Sequence, residues 1–367
     1  MLIKNNYNEC LTNLACSIQK YFGLNTKHNS IEYIDNLLNE NQPKNVVVML
    51  FDGMGSRILD RTLDKDSFFI KNKVKEITTV FPATTTAATT SIRTGLNPIE
   101  HGWLGWNMYI APINETITLF KNREKGKEAI SNNFLRVKEK LVQKTISDEI
   151  SENTQYNAIE LFPFGENKYN NLEEMLEIIK EECNKKGKRY IYAYDTEPDH
   201  TMHNFGPDDE EVKKLIKIRN DKVKQLCKKL NDTIIIIIAD HGHKKIEHIY
   251  LKNYPKIMEM LERTTSLEQR AVSFKIKKEY KGQFVKEFNR NFGKDFKLYS
   301  QSEIIKSHLF GDGDENELFR YAIGDFIAIA ENSNKCIITD GDEVLKSQHA
   351  GYSDDEIYVP LIVIDRC

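Results

Sequence analysis

Apolar, β-branched and aromatic residues gather into short unbroken runs at 45–51, 156–162, 189–194 and 233–239. Runs of that length with few polar interruptions read as strands covered on both faces. Between them, 172–185 and 208–230 read as helices, and this alternation predicts an α/β fold built on a mainly parallel sheet flanked by helices. Ahead of the first run, 11–21 and 31–39 read as helices packed on the outside. In such sheets ligands gather beyond the carboxyl ends of the strands, which directs attention to the residues that follow each run.

The pattern changes after the fourth strand. Stretches 269–277 and 323–330 read as strands and 281–292 as a helix, and 358–364 then returns as a strand able to close the first sheet. The expected division is a catalytic α/β domain of residues 1–244 and 341–367 with a smaller α+β cap inserted at 245–340. No internal repeat and no low-complexity linker interrupts it.

Composition removes several function classes. Fifty-two Lys and Arg against 55 Asp and Glu give a formal net charge of −3, far from the single-sign field of a nucleic-acid binder. No apolar stretch approaches the roughly 20 residues of a membrane helix, and residues 1–20 lack the apolar block of a signal peptide. A cytoplasmic location without membrane attachment is the expectation. The six cysteines form no C-x-x-C pair and are expected to be free thiols in a reducing compartment.

Candidate chemistry lies just past the strand signals. Asp52 follows the first run, Asp199 and His203 the third, Asp240 and His241 the fourth, and His349 precedes the last. Asp199 and His203, at i and i+4, would share one helix face and take His349 as a third ligand; Asp240 and His241 would serve a second ion with Asp52. Carboxylate and imidazole donors in this number suit two divalent ions, zinc first, with manganese or iron also compatible. Any one of these residues reads equally well as a capping Asp or a satisfied core His, but their joint placement points to one site. Thr84, Thr85 and Thr86 stand before 87–93, a stretch able to be helical with Gly95 as its stop. A hydroxyl there would meet backbone N–H groups that favour an anion, which suits a nucleophile acting on a phosphoryl group, although a plain Thr cap gives the same pattern. Trp103 and Trp106 read either as a stacking wall for a planar group or as a packed turn. His200, Asp195, His243 and Lys244 flank the ligands and read as their supports.

These residues resemble the alkaline phosphatase superfamily and, within it, the nucleotide pyrophosphatase/phosphodiesterase branch. Asp52, Asp199-x-x-x-His203, Asp240-His241 and His349 occur in that superfamily's order, and Glu197-Pro198-Asp199-x-x-x-His203-x-x-Gly206-Pro207 and Thr94-Gly95-Leu96-x-Pro98-x-x-His101-Gly102 resemble the branch's stretches. The resemblance implies an alkaline-phosphatase-like fold and a metal-dependent hydrolase of phosphodiester or pyrophosphate bonds working through a phospho-threonine intermediate. It implies Thr85 as nucleophile, nine residues before Thr94, and as a further metal ligand, and Asn107 as the contact to the phosphoryl oxygen. The chain departs from the branch in having Thr86-Ala87-Ala88 after Thr85, and in placing Asn107 one position late, so Thr84 and Thr86 stay open as alternatives. The expected partner is a small-molecule phosphoester. A phosphonate hydrolase, a phosphomonoesterase and a non-catalytic, metal-stabilised binding protein are the competing readings. Arg93, the nearest cation in sequence, lies about two helical turns past Thr85, which favours a diester over a monoester. The Cys-x-Pro-Ser-Arg setting of a sulfatase is absent.

Overall fold

A computed structural model describes residues 5–365 and 367. Residues 1–4, the start of the segment read above for a targeting signal, lie outside the described residues. The central sheet has six strands, β1 (Asn45–Phe51), β2 (Lys73–Thr78), β3 (Asn157–Leu161), β4 (Arg189–Asp195), β5 (Thr233–Ile238) and β6 (Tyr358–Ile364), in the order β2-β6-β5-β1-β4-β3. β1 runs parallel to β4 and β5, β3 runs parallel to β4, and β6 is antiparallel to both its neighbours. Every residue of β1, β4 and β5 is buried. Their β-branched and aromatic side chains fill both faces against Leu11–Tyr21, Glu210–Cys227 and the other flanking helices.

The mainly parallel sheet and the closing role of β6 match the expected fold. β2 is the strand the pattern did not reveal. It lies at the sheet edge, where only Ile77 and Thr78 are buried, so Lys73, Lys75 and Glu76 break the apolar signal.

A second sheet of seven strands follows the order Lys297–Ser300, Phe326–Ile329, Ala271–Phe274, Ser266–Leu267, Asn107–Ile110, Glu115–Thr118, Arg123–Glu124. Strands from 107–124 thus share one sheet with strands from the 245–340 segment. Lys281–Phe292 packs on this sheet through Phe284, Phe288 and Phe292, which are spaced to lie on one helix face, with Phe284 and Phe288 meeting Phe274.

One expectation is corrected. Cys227 and Cys367, 140 residues apart, form a disulfide, so two cysteines are not free thiols and the cysteine content does not point to a reducing compartment. Sequence spacing could not show this pair, because the bridge depends on the end of β6 lying beside the end of Glu210–Cys227. Cys10, Cys16, Cys183 and Cys336 are free and buried. Among the described residues no helix is long and apolar enough to cross a membrane.

Candidate metal centre and its two cavities

The register of β1 against β4 and β5 brings their carboxyl ends to one edge, with Phe51 opposite Asp195 and Leu50 opposite both Tyr194 and Ile238. Asp52 therefore emerges beside Asp240 and His241, and beside the turn that enters the helix Asp199–Phe205. The Asp199 N–H donates to the Asp52 carbonyl at 3.0 Å, and the Asp52 N–H to the Asp195 carbonyl at 2.9 Å. Gly53 makes this approach possible. It has φ +71°, and a Cβ there would lie 2.6 Å from Met202 Cε and 3.0 Å from Asp199 Cβ. The late His349 arrives by a short antiparallel pair, Ser347–Gln348 on Lys244–Lys245, which folds it back onto the Asp240-His241-Gly242-His243 segment.

The structure brings all six predicted Asp and His donors together. Asp199, His203, His243 and His349 offer donor atoms within 4.8 Å of one another, as do Asp52, Asp199 and His241. Asp240 joins the second group, its Oδ2 lying 3.5 Å from His241 Nε2 while its Oδ1 accepts the N–H groups of Gly53 and His241 at 3.0 Å. His243, which sequence reasoning placed only as a support, stands within the first group, with Nε2 2.6 Å from Asp199 Oδ1.

The proton positions suit cations. The Nδ1–H groups of His203, His241 and His349 donate to the carbonyls of Ser347, Gly242 and Ala83 at 2.9, 3.0 and 3.1 Å. Ser347 Oγ donates to the Met202 carbonyl, so it must accept from His243 Nδ1 at 2.9 Å. All four imidazoles are thereby left to present Nε2 lone pairs to the carboxylates. Asp52 Oδ1 and Asp240 Oδ2 are buried with no hydrogen-bond donor, and burial with the neighbouring Asp240 and Asp199 carboxylates pushes Asp52 well above its ordinary value. Burial, reinforced by the His241 ring, holds His349 well below its ordinary value. Converging acceptors without donors are what bound divalent ions satisfy, and the residues fit such ions.

The three threonines separate here. Helix Thr85–Thr94 begins at the edge of this cluster with Thr84 as its N-cap. Thr84 donates its hydroxyl to Glu268 Oε1 at 2.6 Å, and Thr86 Oγ is buried without a partner. Thr85 Oγ lies 3.2 Å from His241 Nε2 and 3.5 Å from Asp52 Oδ2. Tyr194 donates to that same Asp52 oxygen. Arg93 is engaged by Glu160 through two guanidinium nitrogens, Asp195 by Arg219 at 2.6 Å and Lys244 by Asp355 at 3.8 Å.

Two cavities meet at Thr85 and Asp199. One, of about 780 Å³, is walled by Trp103, Trp106, Phe120, Phe162, Phe164 and Tyr194. The other, of about 680 Å³, is polar and includes Asn107, Lys121, Glu268, Asp342, Gln348 and His349. Trp103 donates its ring N–H to the Leu141 carbonyl at 2.6 Å, as a packed turn would, and both tryptophans line the first cavity. Asn107 begins a strand of the second sheet; its carbonyl accepts from Thr118 at 2.7 Å and its amide lies 3.5 Å from Asp342. Glu268 is a cavity residue that sequence reading missed. It occupies a turn of the 245–340 segment with no motif around it, and burial pushes its carboxyl up to about 7 although Thr84 and the Trp106 N–H both donate to it.

Residues 46–157 and 135–353 match the family model of type I phosphodiesterase/nucleotide pyrophosphatase. The chain belongs to this family. It is a hydrolase of the phosphodiesterase/nucleotide pyrophosphatase kind, in the branch of the alkaline phosphatase superfamily that the motifs resemble. Its fold is similar to murine ectonucleotide pyrophosphatase/phosphodiesterase 5, at 19% identity over 86% of this chain and 87% of that one, with a TM-score of 0.64. An inactive threonine-to-alanine variant of the murine protein in complex with AMP aligns at 18% identity, with the same coverage and TM-score. The human protein aligns at 17% identity over 87% of each chain, with a TM-score of 0.62. No curated protein sequence matches the chain.

Proposed function

We propose that this family member is a metal-dependent phosphodiesterase in which Thr85 is the nucleophile. The observation that carries the reading is the separation of three consecutive threonines, of which only Thr85 has its hydroxyl beside both Asp52 and His241. The solved relative made inactive by a threonine-to-alanine change adds support. Asp199, His203 and His349 would hold one divalent ion and Asp52, Asp240, His241 and Thr85 a second, with zinc the first choice. Such ions would supply Lewis-acid polarisation of the phosphoryl oxygens and charge stabilisation of the attacking and leaving oxygens.

The chain's own groups do the rest. Thr85 Oγ attacks phosphorus as its proton leaves toward Asp52 Oδ2; the new Oγ–P bond replaces the bond to the departing alkoxide, which takes a proton from solvent. Water then attacks the phospho-threonine and gives up a proton to solvent, while the proton held on Asp52 returns to Thr85 Oγ, restoring the hydroxyl and releasing the phosphorylated product. The first-turn N–H groups of Thr85–Thr94 and the Asn107 amide stabilise the phosphoryl oxygens. The aromatic cavity holds a planar substituent; a relative of the same fold is in complex with AMP. In this reading residues 1–244 and 341–367 are the catalytic body, 245–340 is the cap, and the strands of 107–124 join the two.

Steady-state kcat/KM on metal-loaded protein tests the reading with bis-p-nitrophenyl phosphate, p-nitrophenyl phosphate and phosphonoacetate. The diester should be turned over fastest, because Arg93 is held by Glu160 and does not serve the extra charge of a monoester. A faster monoester or phosphonate would replace the diesterase reading.

A further inference from the structure

The polar cavity has a charge pattern that the reaction does not explain. Its basic side chains are already paired: Lys121 with Glu343 at 2.6 Å, Arg123 with Glu128 at 2.6 Å, and Lys127 with Glu124. Lys125, next to them in sequence, is buried against Asp342 at 2.8 Å. Glu268 is the exception. It sits between the strands Ser266–Leu267 and Ala271–Phe274, where its own N–H donates to the Ala271 carbonyl at 3.1 Å. Its Oε1 accepts from the Thr84 hydroxyl and from the Trp106 N–H, each at 2.6 Å. Among the described residues no cation pairs with it, and no hydrogen bond reaches Oε2, although the side chain lines the cavity.

A carboxyl held in this way repels a second phosphate and accepts from a hydroxyl. The cavity's cations already face carboxylates, which lowers the net positive charge a pyrophosphate would meet there. We propose that Glu268 is a specificity-determining residue that selects the substituent entering the polar cavity, an uncharged hydroxyl-bearing alcohol rather than a pyrophosphate. Together with the aromatic cavity this names a substrate class: a phosphodiester joining a planar aromatic group on one side to a polyol on the other. The inference rests on the diesterase reading above and narrows it.

The test uses two substrates that share one half, the glyceryl ester of AMP and ATP, with bis-p-nitrophenyl phosphate as control. Glu268→Gln keeps an acceptor for Thr84 and Trp106 while changing what faces the cavity. Its ratio of kcat/KM for the glyceryl ester over ATP should fall about tenfold or more relative to the unaltered protein, the range expected for losing one charge-assisted hydrogen bond. Glu268→Lys should lower the ratio further by improving ATP. Thermal midpoint and bound metal, measured on each variant, report that the fold is intact. If both substrates lose activity in proportion in Glu268→Gln, Glu268 is only a brace between Thr84 and Trp106 and the proposal is overturned. An unaltered ratio in Glu268→Lys overturns it as well, whatever Glu268→Gln does to folding. Absence of turnover of bis-p-nitrophenyl phosphate by the unaltered protein would instead remove the diesterase reading, and this inference with it.

Discussion

Thr84, Thr85 and Thr86 are chemically the same side chain, and one turn of helix gives them three different tasks. Thr85→Ala is expected to keep the fold and the Asp and His donors but to lose at least about a hundredfold in kcat, since the covalent route disappears. Thr86→Ala should be mild, and Thr84→Ala intermediate because it frees Glu268 Oε1 from one donor. Steady-state rates of the three variants on one diester decide the order; an intact rate in Thr85→Ala sinks the assignment. Sequence alone narrowed the proposed nucleophile to this triplet but could not orient the hydroxyls, because helix phase depends on where Thr84 caps. His243 shows the same limit. Its sequence position marked it as a neighbour of ligands, while its aim at Asp199 follows from Ser347, 104 residues away. His243→Ala should weaken metal binding by about 10- to 100-fold in chelator competition, whereas unchanged affinity would reduce His243 to a packing residue.

At the level of elements, the strand order of the ligands was legible because β1, β4 and β5 are buried on both faces and announce themselves as apolar runs. The edge strand β2 and the strands of 107–124 were not, since half-covered strands mix polar and apolar residues without a long period. A buried ion pair joins the two sheets at the loop bearing His349. Arg270, at the start of Ala271–Phe274, binds both oxygens of Glu356 at 2.6 and 2.9 Å, and Glu356 also accepts the Gly351 N–H at 2.8 Å. Burial works to raise the Glu356 carboxyl, but the Arg270 guanidinium outweighs it and holds the group below its ordinary value of 4.5. A depressed carboxyl contributes stability above the unfolded value, and that contribution is lost as pH falls through the folded one. Thermal midpoints should therefore drop below about pH 4.5. The paired replacement Arg270→Met with Glu356→Leu should flatten that acid limb. Arg270→Ala alone, which strands a buried carboxylate, should cost about 3–5 kcal/mol. An unchanged acid limb in the double variant would show that other carboxylates dominate.

For the molecule as a whole, the sequence already held the order Asp52, Asp199, His203, Asp240, His241, His349, and the family follows from it. What it could not hold was the contribution of distant turns to the cavities, or the bridge between Cys227 and Cys367. That bridge gives the chain the topology of a lasso, a closed ring of residues 227–367 with a tail running back toward residue 5. The tail supplies Asp52, Asp199 and His203, and the ring supplies Asp240, His241 and His349. A protease that nicks the exposed stretch 312–315, which lies inside the ring, would open the ring without releasing a fragment. Such a cut should leave one band on a non-reducing gel and two after reduction, with metal still bound before reduction. Two bands without reductant would mean that the ring is not closed.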